Sequence, residues 1–320
     1  MHAGIAHATA DGPDRDSGSN GRVASLDASA LDAPFRACVA AGARILAGLS
    51  ILVCTPSPFD PARFRHLWMT VRLLSGLGCR RVKTIVLTDA VDSKDLQRLR
   101  QLVGPISDET VIRPECNLND LRDLPWRHKR IIQEEFLNDT SPFDLFIYLE
   151  DDIFLTSENV AYFVAFRQAL DRIGFIPSFI RCEYNLIQHR VYSIDQVARQ
   201  PILPHQKLQI GHATFVNSDY PFCAMYIFDR ALARAHLGTR SASQELSASV
   251  ENWGVIELAS AGQMFENVQS GFFSRYLVPV EPDTLQLLPA CVVHHSSDKY
   301  TNLDDEHGRL PLDGVFARWP

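Results

Sequence analysis

FDLFIYLEDDIFLTSENVAYF, residues 143–163, decides how this chain folds. Residues 143–149 are almost continuously apolar, the pattern of a central strand covered on both faces. Glu150, Asp151 and Asp152 close it, and Ser157 is placed to cap a helix over 158–172. Three consecutive carboxylates repel one another unless solvent, a basic group or a cation offsets them, and a hard divalent ion, Mn²⁺ or Mg²⁺, is the economical solution. Ligands of open parallel sheets bind at the carboxyl ends of strands, where this triplet falls. Alternation along an extended segment sends Glu150 and Asp152 to one side and Asp151 to the other. The competing explanation is a solvated turn at a strand end.

Outward from this stretch, strands and helices alternate. Apolar runs at 49–55 and 82–87, with a weaker one at 111–113, are separated by helical patterns at 61–77, 93–103 and 127–137. That rhythm predicts an α/β fold with a mostly parallel central sheet flanked by helices. Residues 1–33, rich in Ala, Gly, Ser and Asp, read as a mobile tail. The remainder, 34–320, reads as one domain, with a nucleotide-binding half at about 46–156 and an acceptor-side half at about 157–320. In the second half strands are expected at 179–183, 207–215, 224–228, 273–279 and 290–294, with helices at 230–237 and 243–261. No repeat of fixed period is visible.

Several residues carry possible chemistry. LPWRHKR, residues 124–130, opens the 127–137 helix, and its N–H groups with Arg127, Lys129 or Arg130 suit a phosphate, unless this is a solvated basic turn. Asp89, ending the second strand, can accept a hydrogen bond from a base or ribose, or cap a helix. Adjacent His294 and His295 face opposite ways on a strand, so at most one of them serves any single site, and His295 begins the polar loop.

The segment at 143–163 closely resembles the metal-dependent glycosyltransferases of GT-A fold, whose acid-x-acid signature ends a central strand; here it takes the form EDD. The resemblance extends over residues 50–300 and is most specific at 126–163. It implies that Asp152 binds the metal directly, that Glu150 contacts donor sugar or ribose or reaches the metal through water, and that Asp151 lies in the same donor site. It places Thr55, at the end of the first strand where the loop begins, near the nucleobase and ribose, sets His128 and Lys129 beside the nucleotide, and brings a late histidine, His295, to the metal. Glu251 matches the general base of inverting members, with Glu245 second, although Asn252 departs from the usual acidic neighbour. The implied activity moves a sugar from a nucleotide-diphosphate donor to a saccharide or other hydroxyl acceptor.

Composition narrows the alternatives. The 31 Lys and Arg against 38 Asp and Glu leave a net charge of −7 in 320 residues, which disfavours nucleic-acid binding. Seven scattered cysteines without a CxxC pair read as reduced, packed thiols of a cytoplasmic chain. No apolar run is long enough to span a bilayer, and the first residues lack a secretory pattern, so membrane contact is expected to be peripheral at most. A metal-dependent nucleotidyltransferase competes, but its glycine-rich phosphate loop is missing from CTPSPFDPAR, residues 54–63. A non-catalytic carbohydrate- or protein-binding module on the same fold is the other alternative.

Overall fold

Amphipathic helices and buried strands alternate through the first half, as the apolar spacing dictates. The computed structural model describes residues 26, 28–196, 205–302 and 310–316. In chain order these form α1 (Phe35–Leu46), β1 (Ser50–Pro56), α2 (Phe64–Ser75), β2 (Arg81–Thr88), α3 (Ser93–Val103), β3 (Thr110–Pro114), α4 (His128–Ile131) and β4 (Leu145–Leu149). Next come β5 (Ile153–Phe154), α5 (Ser157–Arg172), β6 (Ile176–Pro177), β7 (Ile180–Asn185), β8 (Arg190–Ser193), β9 (Lys207–Ile210), β10 (Ala213–Asn217) and β11 (Met225–Asp229). Then α6 (Arg230–Leu237), α7 (Gln244–Ser247), α8 (Val255–Ser260), β12 (Tyr276–Val280), β13 (Val292–His295) and β14 (Leu310–Pro311) follow.

The protein is α/β. Its central sheet has the order β11-β4-β1-β2-β3, parallel throughout except for β11, which runs antiparallel to β4. Every residue of β1 and β4 is buried, in keeping with strands covered on both faces. On one side Leu67 and Val71 of α2 pack with Leu99 and Val103 of α3 against Val86. On the other, the His128 ring lies 4.1 Å from that of Tyr148, and Phe136 contacts Phe146. Two further sheets, of four and five short strands, complete the structure, β6-β12-β10-β9 and β14-β8-β7-β13-β5.

Several boundaries differ from the sequence expectation. The cap of α5 is Thr156 rather than Ser157, in a reciprocal capping box with Asn159. The run at 207–215 is a hairpin of β9 and β10, turned at Gly211, where φ is +56° and an added Cβ would lie 2.1 Å from the Leu31 carbonyl oxygen. The helix at 127–137 begins as a 3-10 turn at Leu121–Arg127 and ends in a π turn at Ile132–Phe136. The helix expected at 243–261 is broken between α7 and α8 by Asn252, at φ +66°, and by Gly254, the N-cap residue of α8. Most of the 1–33 tail lies outside the described residues, but Ala28–Asp32 form a 3-10 turn that buries Leu31. All seven cysteines are free, and five of them are buried.

Candidate functional site

β4 delivers Glu150 to the carboxyl end of the central sheet, and the chain then turns. The Ile153 N–H donates to the Glu150 carbonyl at 3.1 Å, so the extended alternation expected of the triplet is lost. Asp151 and Asp152 consequently meet one guanidinium, that of Arg63, on the 3-10 turn Pro61–Arg63 that follows β1. Asp151 accepts from the terminal nitrogen of Arg63, from its Nε at 3.3 Å and from Ser57 Oγ at 2.7 Å. Asp152 Oδ2 lies 3.1 Å from the same terminal nitrogen. Thr70 Oγ1, on α2, donates to the Asp151 carbonyl at 2.8 Å and fixes the turn from beneath.

The two-residue strand β5 then pairs antiparallel with β13, setting His295 opposite Ile153. The Ser296 N–H donates to the Asp152 carbonyl at 2.8 Å. His295 Nε2 stands 3.2 Å from Asp152 Oδ2, and its Nδ1 lies 2.6 Å from Glu183 Oε1 on β7. Glu183 is fully buried, and its second oxygen accepts from the Thr301 N–H at 2.9 Å. His294 turns the other way, toward the Phe154 ring and Asp298.

Electrostatics divide the three acids. Burial, reinforced by the neighbouring Asp152, pushes Glu150 up to about 7. Asp151 is also raised by burial, which Arg63 offsets only in part. For Asp152 burial acts in the same direction, but the His295 hydrogen bond and charge, with Arg63 and Arg181, outweigh it and hold that carboxyl below its usual range. Burial lowers His295, yet Asp152 and Glu183 prevail and raise it.

These groups line a cleft of about 250 Å³. Its polar wall holds Glu150, Asp151, Asp152, His295, Tyr300 and four cations, Arg63, Arg122, Arg181 and Lys299; Pro56, Pro58, Leu121, Pro125 and Ile256 supply apolar surface. Arg181, on β7, is locked by buried Asp195 at 2.6 and 3.0 Å. A larger groove of about 1190 Å³ runs along α1 and α5 and contains none of the triplet.

Other expected site residues lie elsewhere. Thr55 is fully buried on β1 and its hydroxyl has no partner among the described residues. Asp89 accepts from the Phe59 N–H at 2.6 Å and so braces the loop after β1. His128 is buried between the Pro125 carbonyl and the Tyr226 hydroxyl. Lys129 lies beside His236 Nε2 at 2.9 Å and over the rings of Tyr226 and Trp126. Burial lowers both His128 and Lys129, and neither lines the cleft. The N-terminus expected to bind phosphate is closed by Asp120 in a capping box with Asp123, and Arg130 is paired with Glu115. Glu251 is exposed on the turn before α8 and does not line the cleft, because the break in the expected helix carries it outward. Glu245, on α7, is likewise exposed and outside the cleft walls.

Arg63, Arg181, Glu183 and Ser57 were not singled out by sequence reasoning. Arg63 does close the CTPSPFDPAR loop, and an arginine there, one loop away from an acidic strand end, is the signal that was present. Among the described residues no group of three or more His, Cys, Asp or Glu is arranged to hold a metal, and no helix is long and apolar enough to cross a membrane. No protein-family model and no curated protein matches the chain.

Proposed function

We propose that the cleft binds a nucleotide-diphosphate sugar with Mn²⁺ or Mg²⁺ and transfers the sugar to a hydroxyl acceptor, on a GT-A-like arrangement of the α/β fold. The observation that carries this reading is the pair Asp152 and His295, backed by Glu183. With its proton on Nδ1, toward Glu183, the imidazole presents the Nε2 lone pair to a carboxylate oxygen 3.2 Å away. Two acceptors in that position need a cation between them, either a proton or a metal. Metal bonds of about 2.1 Å at right angles set cis ligand atoms about 3.0 Å apart, close to this separation. Asp152 Oδ1 is also buried without a partner among the described residues. Two protein ligands suit an ion completed by phosphate oxygens and water, the usual way magnesium-like ions are held in nucleotide sites.

When bound, the ion supplies positive charge to the leaving diphosphate. Arg63, Arg122, Arg181 and Lys299 add positive charge to the same cleft, with Arg122 held by Asp120 and Arg181 by Asp195. Pro56, which ends β1, Pro58, in the loop that follows, and Pro125 form walls for the nucleoside. Glu251 is not the general base in this reading, since it lies outside the cleft.

Calorimetry with UDP- and GDP-sugars, in Mn²⁺ or Mg²⁺ and in chelator, tests the proposal. Binding is expected only with metal, and Asp152→Asn is expected to abolish turnover while the chain still unfolds cooperatively in chelator, at a melting temperature lowered by the lost charge pairing with Arg63 and His295. Equal affinity with and without metal removes the metal role, and the absence of binding by either donor series removes the donor role.

A further inference from the structure

Arg63 has two unequal attachments. Toward Asp151 it offers two nitrogens, and that carboxylate, 1% exposed, has only Arg63 and Ser57 as side-chain donors among the described residues. Toward Asp152 it offers one contact, at 3.1 Å, to the same Oδ2 that faces His295. The Arg63 side chain is about one-third exposed and lines the cleft. Its carboxylate partners, Asp151 foremost, push its pKa upward, so the guanidinium remains charged. Removing it entirely leaves Asp151 buried without a counter-charge, but releasing Asp152 alone costs one charge-assisted bond and frees one N–H toward the cleft.

We propose that Arg63 is a built-in cation of this site: it shares Asp152 in the free protein, yields that oxygen to the divalent ion, and turns the released N–H to the donor diphosphate while keeping Asp151. This inference rests on the metal-dependent donor site proposed above. A divalent ion and the guanidinium compete for one oxygen, so Arg63 opposes the metal when no nucleotide is present and favours the anion when it is. The free protein thereby offers a weak site to the metal alone, and donor and metal are taken up together.

The experiment counts free Mn²⁺ by its room-temperature electron paramagnetic resonance signal, for the parent, Arg63→Gln and Arg63→Lys. Arg81→Gln, remote from the cleft and paired with Glu109, controls for net charge. Without nucleotide, Arg63→Gln is expected to bind Mn²⁺ roughly fivefold or more tightly than the parent. At saturating Mg²⁺ its calorimetric affinities for UDP and GDP are expected to fall roughly tenfold. Arg63→Lys, which keeps a charge but not the two-nitrogen grip, shifts both quantities in the same opposite directions by less, and carries the test if the glutamine variant melts before assay. Weaker Mn²⁺ binding together with weaker nucleotide binding overturns the proposal, because Arg63 then only supports the carboxylates. Unchanged Mn²⁺ affinity overturns it as well. If the parent takes up no Mn²⁺ beyond what UDP or GDP binds alone, the metal reading fails, and this inference falls with it.

Discussion

Glu183→Gln separates a ligand-orienting role from a packing role, because the amide cannot satisfy both groups that the carboxylate serves. Glu183 accepts from His295 at 2.6 Å and from the Thr301 N–H at 2.9 Å, and has no exposed surface. Glutamine brings one acceptor and one donor. If its oxygen stays with His295, the amide NH₂ is set against the Thr301 N–H; if it turns, the NH₂ faces Nδ1 and drives the imidazole proton to Nε2. That second tautomer keeps a hydrogen bond to Asp152 but has no lone pair for a metal. Altering the partner behind a ligating histidine typically weakens metal affinity roughly 10- to 100-fold. The lost or strained hydrogen bond costs about 1–3 kcal/mol of stability. Mn²⁺ titration followed by resonance gives the first quantity, and melting in chelator gives the second. A nitrogen-15 spectrum of His295 reports the tautomer directly. Mn²⁺ affinity within twofold of the parent, with the Nε2 lone pair retained, would refute the argument that Glu183 orients this ring.

His295→Ala is expected to weaken Mn²⁺ binding and raise the metal concentration needed for turnover, whereas His294→Ala, on the opposite face of β13, leaves both unchanged; parity of the two variants in Mn²⁺ titration removes the histidine from the site. Lys129→Met is expected to flatten the pH dependence of stability. Burial holds the folded-state pKa of Lys129 well below 10.5, so as pH approaches 10.5 the unfolded chain binds a proton that the folded chain lacks, and stability rises. Denaturant titrations at about pH 9 and about pH 10 should show that rise in the parent and its loss in the variant, and equal slopes would contradict it. Gly42→Ala places a Cβ 2.2 Å from the Ala161 carbonyl oxygen, where α1 crosses α5, and should cost about 1–3 kcal/mol in thermal or denaturant unfolding; parental stability would show that the helices can separate freely.

The apolar run at 143–149, interrupted only at Asp144, was enough to place a central strand, since a strand covered on both faces carries apolar residues on both sides. Period and punctuation likewise fixed β1, β2, α2 and α3. They failed where structure depends on distant pairing: β5 is two residues long, below any periodic signal, yet it exists because β13 lies beside it. Helix α1 buries Cys38, Val39, Gly42 and Leu46 at ordinary helical spacing, so its stripe is present in the sequence, and what the sequence does not show is the close crossing with α5 at Gly42. His128 and Lys129 misled in the opposite sense. Two polar residues in a basic run imply solvent, but Tyr226 and His236, far away in sequence, give them partners inside the core.

The same distinction explains the site. Three acids in succession announce that positive charge must be near, but not its source, because the deciding turn is a single hydrogen bond from Ile153 to Glu150. That turn gathers Asp151 and Asp152 on Arg63 instead of spreading them across the strand. Once gathered, they differ in their remaining partners: Asp151 is enclosed by Ser57 and Arg63, whereas Asp152 alone shares an oxygen with His295 and keeps another unpartnered among the described residues. The anion with incomplete partners beside a histidine is the one able to accept a new cation without first dismantling the fold. Its position, rather than the number of acids, is therefore what makes Asp152 the centre of the proposed chemistry.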